Sequence, residues 1–386
     1  MKKILLLPLI FLMCGCWNYK ELNNLAMTTG IAIDKIDNDY HVTLLISNSK
    51  KQTNDNNKPQ ASTAAYEGSG KTMYEAISNA SDNISKEVYL GHLAILVLSE
   101  EIASSDMLNV VDFLFRYPQI RNEFQLILAK NSKASDILKV TTPLESFPSL
   151  NVSENLKNTN KRQGIIYTVN FNEFIKIFLE SGVEAVLPSV EVIGNTNEGN
   201  KNENIEKIEP TTYLRLSPIG IFRGDKFVAW SNKDESYGIN ILNNKVKKMY
   251  LATNWDNGKI VSEVYSLKTK INVIDNNKIL INIKTTASIE ELSCDVNLEN
   301  IDNIKKIEEN NKALISDYIT KAITLAKNNK TDIFGFGRSI YKEKPKYFKS
   351  IMNEWNEKYF PNLNIEYNIE VKVTGKGNIN NYIKGE

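Results

Sequence analysis

Hydrophobic positions follow three rhythms along this chain. Residues 4–14 form one nearly continuous apolar run, preceded by Lys2 and Lys3 and followed by Gly15, Cys16 and a polar stretch from Asn18. Eleven residues of helix rise only about 16 Å, far short of ~30 Å of hydrocarbon. The run therefore has the proportions of the apolar centre of an export leader, with the two lysines as its positive start.

From there to residue 193, helical and strand spacings alternate. A short helix is expected over 19–27. Strands over 30–34 and 40–46 flank Asp37, Asn38 and Asp39, the pattern of a hairpin. Residues 50–63, rich in Asn, Lys, Gln and Asp, read as a surface loop. Thr72 can cap a helix in which Met73, Ala76, Ile77, Ala80 and Ile84 share one face. The apolar run 92–98 has the length of a buried strand. A helix over 105–115, a strand over 124–129, helices over 136–140 and 172–180 and a strand over 190–193 follow. Such alternation predicts a mixed α/β unit.

Residues 194–210 interrupt the pattern: seventeen residues carry only two aliphatics, Ile205 and Ile208. That composition buries too little to order itself and reads as a linker or long loop. Beyond it the third rhythm is antiparallel β. Strands are expected over 213–216, 219–222 and 227–230, and Ile271 and Val273 alternate on one side of a turn at 275–278, with Ile279, Ile281 and Ile283 on the other. A long helix is expected over 298–328, where Ile304, Ile307, Leu314, Tyr318, Ala322 and Leu325 trace one face. A helix over 345–359 and a strand over 365–374 close the chain. The expected architecture is α+β (mixed α/β) and multidomain. A leader (1–15) precedes an N-terminal α/β domain with a mixed sheet (16–193). A linker (194–211) then leads to a C-terminal region of antiparallel sheet with long helices (212–386), which can split near 260.

The leader's end sharpens the picture. Leu12, Met13, Cys14, Gly15 and Cys16 lack the small-x-small pattern of ordinary signal cleavage and resemble a bacterial lipobox. Gly15 makes Cys16 the favoured acylation site, with Cys14, behind bulky Met13, as the competitor. Cleavage there removes two lysines and leaves 45 basic against 46 acidic residues, a formal charge of −1. Such a body has no electrostatic footprint for nucleic acid or anionic lipid, so no nucleic-acid partner is expected. With Cys16 acylated, Cys294 is left alone and no internal disulfide can form. A hydrophobic content of 42% supplies core enough for two or three domains.

Catalytic chemistry is sparse. His41 lies within a strand and His92 at the head of one, and two histidines with one free cysteine fall short of a zinc site. Cys294 has no histidine near it in sequence to form its thiolate. Gly335, Phe336 and Gly337 lack the lysine of a phosphate loop, and Glu290–Glu291 and Glu308–Glu309 are neighbours whose side chains point apart. No enzyme activity, cofactor, metal or small-molecule ligand is expected. Two groups remain as a candidate partner surface. Arg116 and Arg121 bracket an apolar turn, which can equally be a helix end complementing its dipole. Phe334, Phe336 and Arg338 follow the long helix, where they can instead be a tight cap packed on the core.

Collinear motifs make the chain similar to the Ger(x)C family, the lipoprotein C subunits of spore nutrient-germinant receptors. The resemblance rests on Gly15-Cys16-Trp17, Glu21-Leu22-Asn23 and Gly30 through Lys35, then on Gly91-His92-Leu93 with Ser99-Glu100-Glu101. It continues through Arg116 and Arg121, Gly220-Ile221-Phe222 with Asp225-Lys226, and Asp332 through Gly337, to Trp355, Phe360, Val371, Val373 and Gly375. Where the family often has a second Trp before Trp355, Tyr347 and Phe348 stand. The resemblance implies a non-enzymatic α/β protein, lipid-anchored on the outer face of the spore's inner membrane. Its partners would be two polytopic membrane subunits of A and B type. A reading from another class is a solute-binding lipoprotein of an importer, which calls for two similar α/β lobes around a cleft.

Overall fold

The computed structural model describes residues 21–48 and 61–375. Its first sheet contains β1 (Leu25–Ile36), β2 (Asp39–Ser47), β3 (Thr63–Gly70), β4 (Glu87–Tyr89), β5 (Ile95–Leu98), β6 (Gln125–Ala129), β7 (Val186–Ile193), β8 (Tyr213–Arg223) and β9 (Lys226–Trp230). The order is β3-β2-β1-β5-β6-β7-β8-β9, with β4 beside the start of β1. β1, β5, β6 and β7 are parallel, and antiparallel pairs extend the sheet to both edges. β5 and β6 are buried on both faces, which central parallel strands require and which their continuous apolar runs anticipate. Leu96, Leu98, Leu126 and Leu128 face helices Met73–Ser81 and Met107–Arg116. Ile95, Val97, Ile127 and Ala129 face Ala134–Lys139 and Pro148–Gln163.

The second sheet holds β10 (Met249–Trp255), β11 (Gly258–Asp275), β12 (Lys278–Leu292) and β13 (Asn364–Gly375), in that order. Helix Ile301–Asn328 lies across it; Asn300 caps its start, accepting from Asp302 N at 2.9 Å. Ile315, Ile319 and Ala322 of this helix pack with Ile281, Ile283 and Ile369 of the sheet. The same buried cluster continues into the first sheet, so the two sheets share one core. The α+β class expected from sequence is the class observed.

Four local expectations change. The helix expected over 19–27 is, among the described residues, a single turn at Leu22–Asn24; from Leu25 the chain is strand, because Leu25, Ala26 and Met27 pair with Glu87, Val88 and Tyr89. The C-terminal sheet is mixed: β13 returns parallel to β12 after the crossover helix. The helix expected over 345–359 runs only from Pro345 to Ile351, then winds through Met352–Glu354 into a wide π turn at Trp355–Tyr359. Lastly, 194–211 does not separate two sheets. It joins β7 to β8, which pair with each other, and a division at 193 and 212 therefore cuts one continuous sheet. The segment is ordered by polar rather than apolar contacts: buried Asn204 donates to Thr212 O at 2.9 Å and accepts from Thr212 N at 3.0 Å.

Candidate interaction surface and the Asp332 junction

The segment after the long helix folds into a closed knot. Asp332 is fully buried, and its carboxylate accepts from Phe336 N at 3.1 Å, Gly337 N at 2.7 Å and the Trp355 indole Nε1 at 3.0 Å. Burial pushes this carboxyl up to about 6, against the pull of those donors. The knot also grips the first sheet. Arg338 N donates to Gly182 O at 2.8 Å, Glu184 N donates to Asp332 O at 2.9 Å, and Arg338 Nη1 meets Glu180 at 3.1 Å. Residues 180–184 lead directly into β7, so the junction ties the entry of that strand to the C-terminal half.

Two glycines permit the close approach. Gly182 has φ +78°, and a Cβ there would lie 2.6 Å from Arg338 N. A Cβ on Gly337 would lie 2.7 Å from Trp355 Nε1 and 2.8 Å from the Phe348 ring. Around them Phe334 and Phe336 stand at 5.3 Å, Phe348 and Trp355 at 5.4 Å, and Trp355 and Phe360 at 6.3 Å. Phe334 and Phe336 are therefore core residues and cannot form a partner surface, because their rings are spent on this cluster. Arg338 is half-buried and engaged by Glu180, which makes it a fastening of the junction.

Arg116 and Arg121 are placed differently. Helix Met107–Arg116 buries Met107, Val110, Val111 and Leu114, and the following turn is pinned by buried Ile120 and Phe124. Arg116 is exposed and clasps both carboxylate oxygens of Asp112 at 3.0 and 2.8 Å; Arg121 is exposed on the turn. Leu108 and Phe115 sit on the outward face at 54% and 68% exposure, out of step with the buried stripe. That mismatch leaves two large apolar side chains on the outward side of the helix, and it is visible in the helix spacing once the boundaries are known. No hydrogen bond, ion pair or ring contact among the described residues links this face to Arg338.

The remaining chemistry is quiet. Among the described residues no cluster of His, Cys, Asp and Glu could hold a metal ion. His92 is exposed beside Tyr89, and Cys294 is buried, with its thiol pushed up chiefly by desolvation. Two clefts of about 650 and 630 Å³ do open on the surface, a size that could admit a small molecule. The first runs past Tyr66, Glu67, Lys139 and Asn202, and its Lys139 is already paired with Glu67. The second lies between helix Pro148–Gln163 and β8, where Arg215 is paired with Glu191. Cys16, the expected acylation site, lies outside the described residues, and no described helix is long and apolar enough to cross a membrane.

Two family models cover most of the chain: the spore germination protein N-terminal domain over residues 18–192 and the spore germination B3/GerAC-like C-terminal domain over 217–377. The chain belongs to the Ger(x)C family. It is similar to spore germination protein KC of Bacillus subtilis (strain 168), 27% identical over 99% of this chain and 97% of that one. It is also similar to spore germination protein B3 of the same organism, 25% identical over 96% of each. In fold this Ger(x)C chain resembles the crystal structure of the GerBC protein, with a TM-score of 0.52 at 17% identity, covering 92% of this chain and 99% of that one. The two family models meet across the loop between β7 and β8, whereas the sheet runs through it.

Proposed function

We propose that this Ger(x)C chain is the C subunit of a spore nutrient-germinant receptor, acting by assembly and not by catalysis. In this reading acyl chains on Cys16 hold it on the outer face of the spore's inner membrane, where it joins two polytopic subunits of A and B type. The observation that carries the reading is family membership over both halves of the chain. The exposed face of Leu108, Phe115, Arg116 and Arg121 supports it, since aromatics and arginines dominate the energetics of protein interfaces. The leader supports the anchor, and the near-neutral body argues for lipid rather than charge as the hold on the membrane.

The test is co-purification of the tagged chain from spore membranes. Wild type should bring down two polytopic proteins, and Arg121→Ala should lose them while keeping its melting temperature. Cys16→Ala should leave the membrane fraction, and Cys14→Ala should remain there. A Cys16→Ala chain that stays bound and processed would remove the anchor. Recovery of no polytopic protein would remove the assembly role.

A further inference from the structure

β13 ends the second sheet, and among the described residues no strand pairs with its outer side. It is twelve residues long, without proline, and its pairing with β12 is regular from Asn364 to Val373. The N–H of Val373 turns away from β12 and donates to Glu308 Oε1 at 2.8 Å. Because backbone groups alternate along a strand, those of Ile365, Tyr367, Ile369 and Val371 also point outward. Their side chains face inward, half-buried or buried, towards helix Ile301–Asn328. Asn364, Glu366, Asn368, Glu370, Lys372 and Thr374 stand exposed on the other face. Long open edges of this kind invite a further strand.

The charge order along this edge says which strand fits. An antiparallel copy of β13 with Ile369 on the two-fold axis places Glu366 opposite Lys372 of the second copy, and Lys372 opposite its Glu366. Asn368 then faces Glu370 twice, and Tyr367 faces Val371. The parity is right as well. The outward-pointing odd residues become the hydrogen-bonded pairs. The charged even residues become the non-hydrogen-bonded pairs, where Cα atoms approach to about 4.5 Å. Ile369 with itself and Tyr367 with Val371 supply six main-chain bonds without disturbing the Val373–Glu308 contact. Lysine on an edge strand ordinarily discourages pairing, but in this register each one meets a glutamate. Glu366 already contacts Lys278 of β12, so it would lie between two lysines, and Glu370, opposite Asn368, keeps its contact with Lys284.

We propose that β13 is a homodimerisation edge, joining two copies of this chain into one eight-stranded sheet through the register centred on Ile369. A closed two-fold pairing uses both edges up and does not propagate. The inference is independent of the germination reading.

The test uses the full chain in detergent. Sedimentation equilibrium should show a concentration-dependent dimer. Glu366→Lys or Lys372→Glu alone sets like charges opposite each other twice per dimer and should weaken it roughly tenfold or more. The double reversal should restore it to within a few-fold. Mixed chains carrying Glu366→Cys and Lys372→Cys should form a disulfide-linked dimer on oxidation, and Glu366→Cys alone should not. Unfolding curves of each variant separate a lost interface from a lost fold. A wild-type chain that stays monomeric overturns the proposal, and so does a dimer indifferent to the single reversals.

Discussion

The indole of Trp355 donates to the carboxylate of Asp332 at 3.0 Å, with both side chains buried. One residue follows the long helix and the other opens the π turn that ends the helical crossover, so this bond closes the C-terminal helices on themselves. Trp355→Phe keeps a ring beside Phe348 and Phe360 but removes the donor. A buried acceptor that loses a partner costs about 1–3 kcal/mol. Denaturant unfolding should show that loss, larger at pH 7 than at pH 4, since the ionised carboxylate needs the donor more. An unchanged midpoint would mean that Asp332 is held by its backbone donors alone.

The same carboxyl predicts a pH dependence. Its folded value near 6 lies above the ~3.9 of an unfolded aspartate, so the folded state holds the proton more tightly. The corresponding stability is complete below about pH 4 and is lost as pH rises towards 6, a change of about 3 kcal/mol. Other carboxylates titrate nearby, so the measurement is the difference in unfolding free energy between wild type and Asp332→Asn. That difference should shift against wild type across the window. A flat difference would show that the site does not titrate there.

Gly337→Ala should destabilise by about 1–3 kcal/mol, because its Cβ would press on the Trp355 indole and the Phe348 ring at under 3 Å. The strain falls on a junction that also holds Gly182 and Glu180. Amide exchange at the start of β7 should therefore quicken together with the loss of stability. Slow exchange there in a destabilised variant would mean that the two halves are not coupled through this knot.

Asn204→Ala should release the loop between β7 and β8. Its side chain bonds Thr212 on both sides and Thr141 O at 3.2 Å, while Ile208 beside it is fully exposed. With those bonds gone, trypsin should cut near Lys207 at least about tenfold faster, the effect of roughly 1.4 kcal/mol of local opening. The global unfolding midpoint should move much less. Cleavage at an unchanged rate would mean that the loop is already open in the wild type.

Residues that settle their own neighbourhood were legible in the sequence. The apolar run 92–98 reads as a buried strand and 124–129 as a strand, Thr72 caps its helix as expected by accepting from Glu75 N at 3.2 Å, and the turn at 275–278 sets the register of the β11–β12 hairpin. The long helix was readable because its apolar spacing continues for 28 residues. Helix Pro148–Gln163 was not, since it buries little beyond Val152, Leu156 and small polar side chains. β3 was not, since its alanines, glycines and serine become strand only through pairing with β2. Only tertiary structure decided between the two fates of the aromatic groups. Phe115 and Phe336 both lie near a helix end with an arginine within two positions, Arg116 and Arg338. Phe336 is buried where Phe360 packs on its ring and Trp355 and the Gly182 loop close on the adjacent Gly337, all from distant parts of the chain, whereas Phe115 stays exposed. The burial of Phe336 is set by what arrives from elsewhere in the chain, and its local sequence carries no record of that.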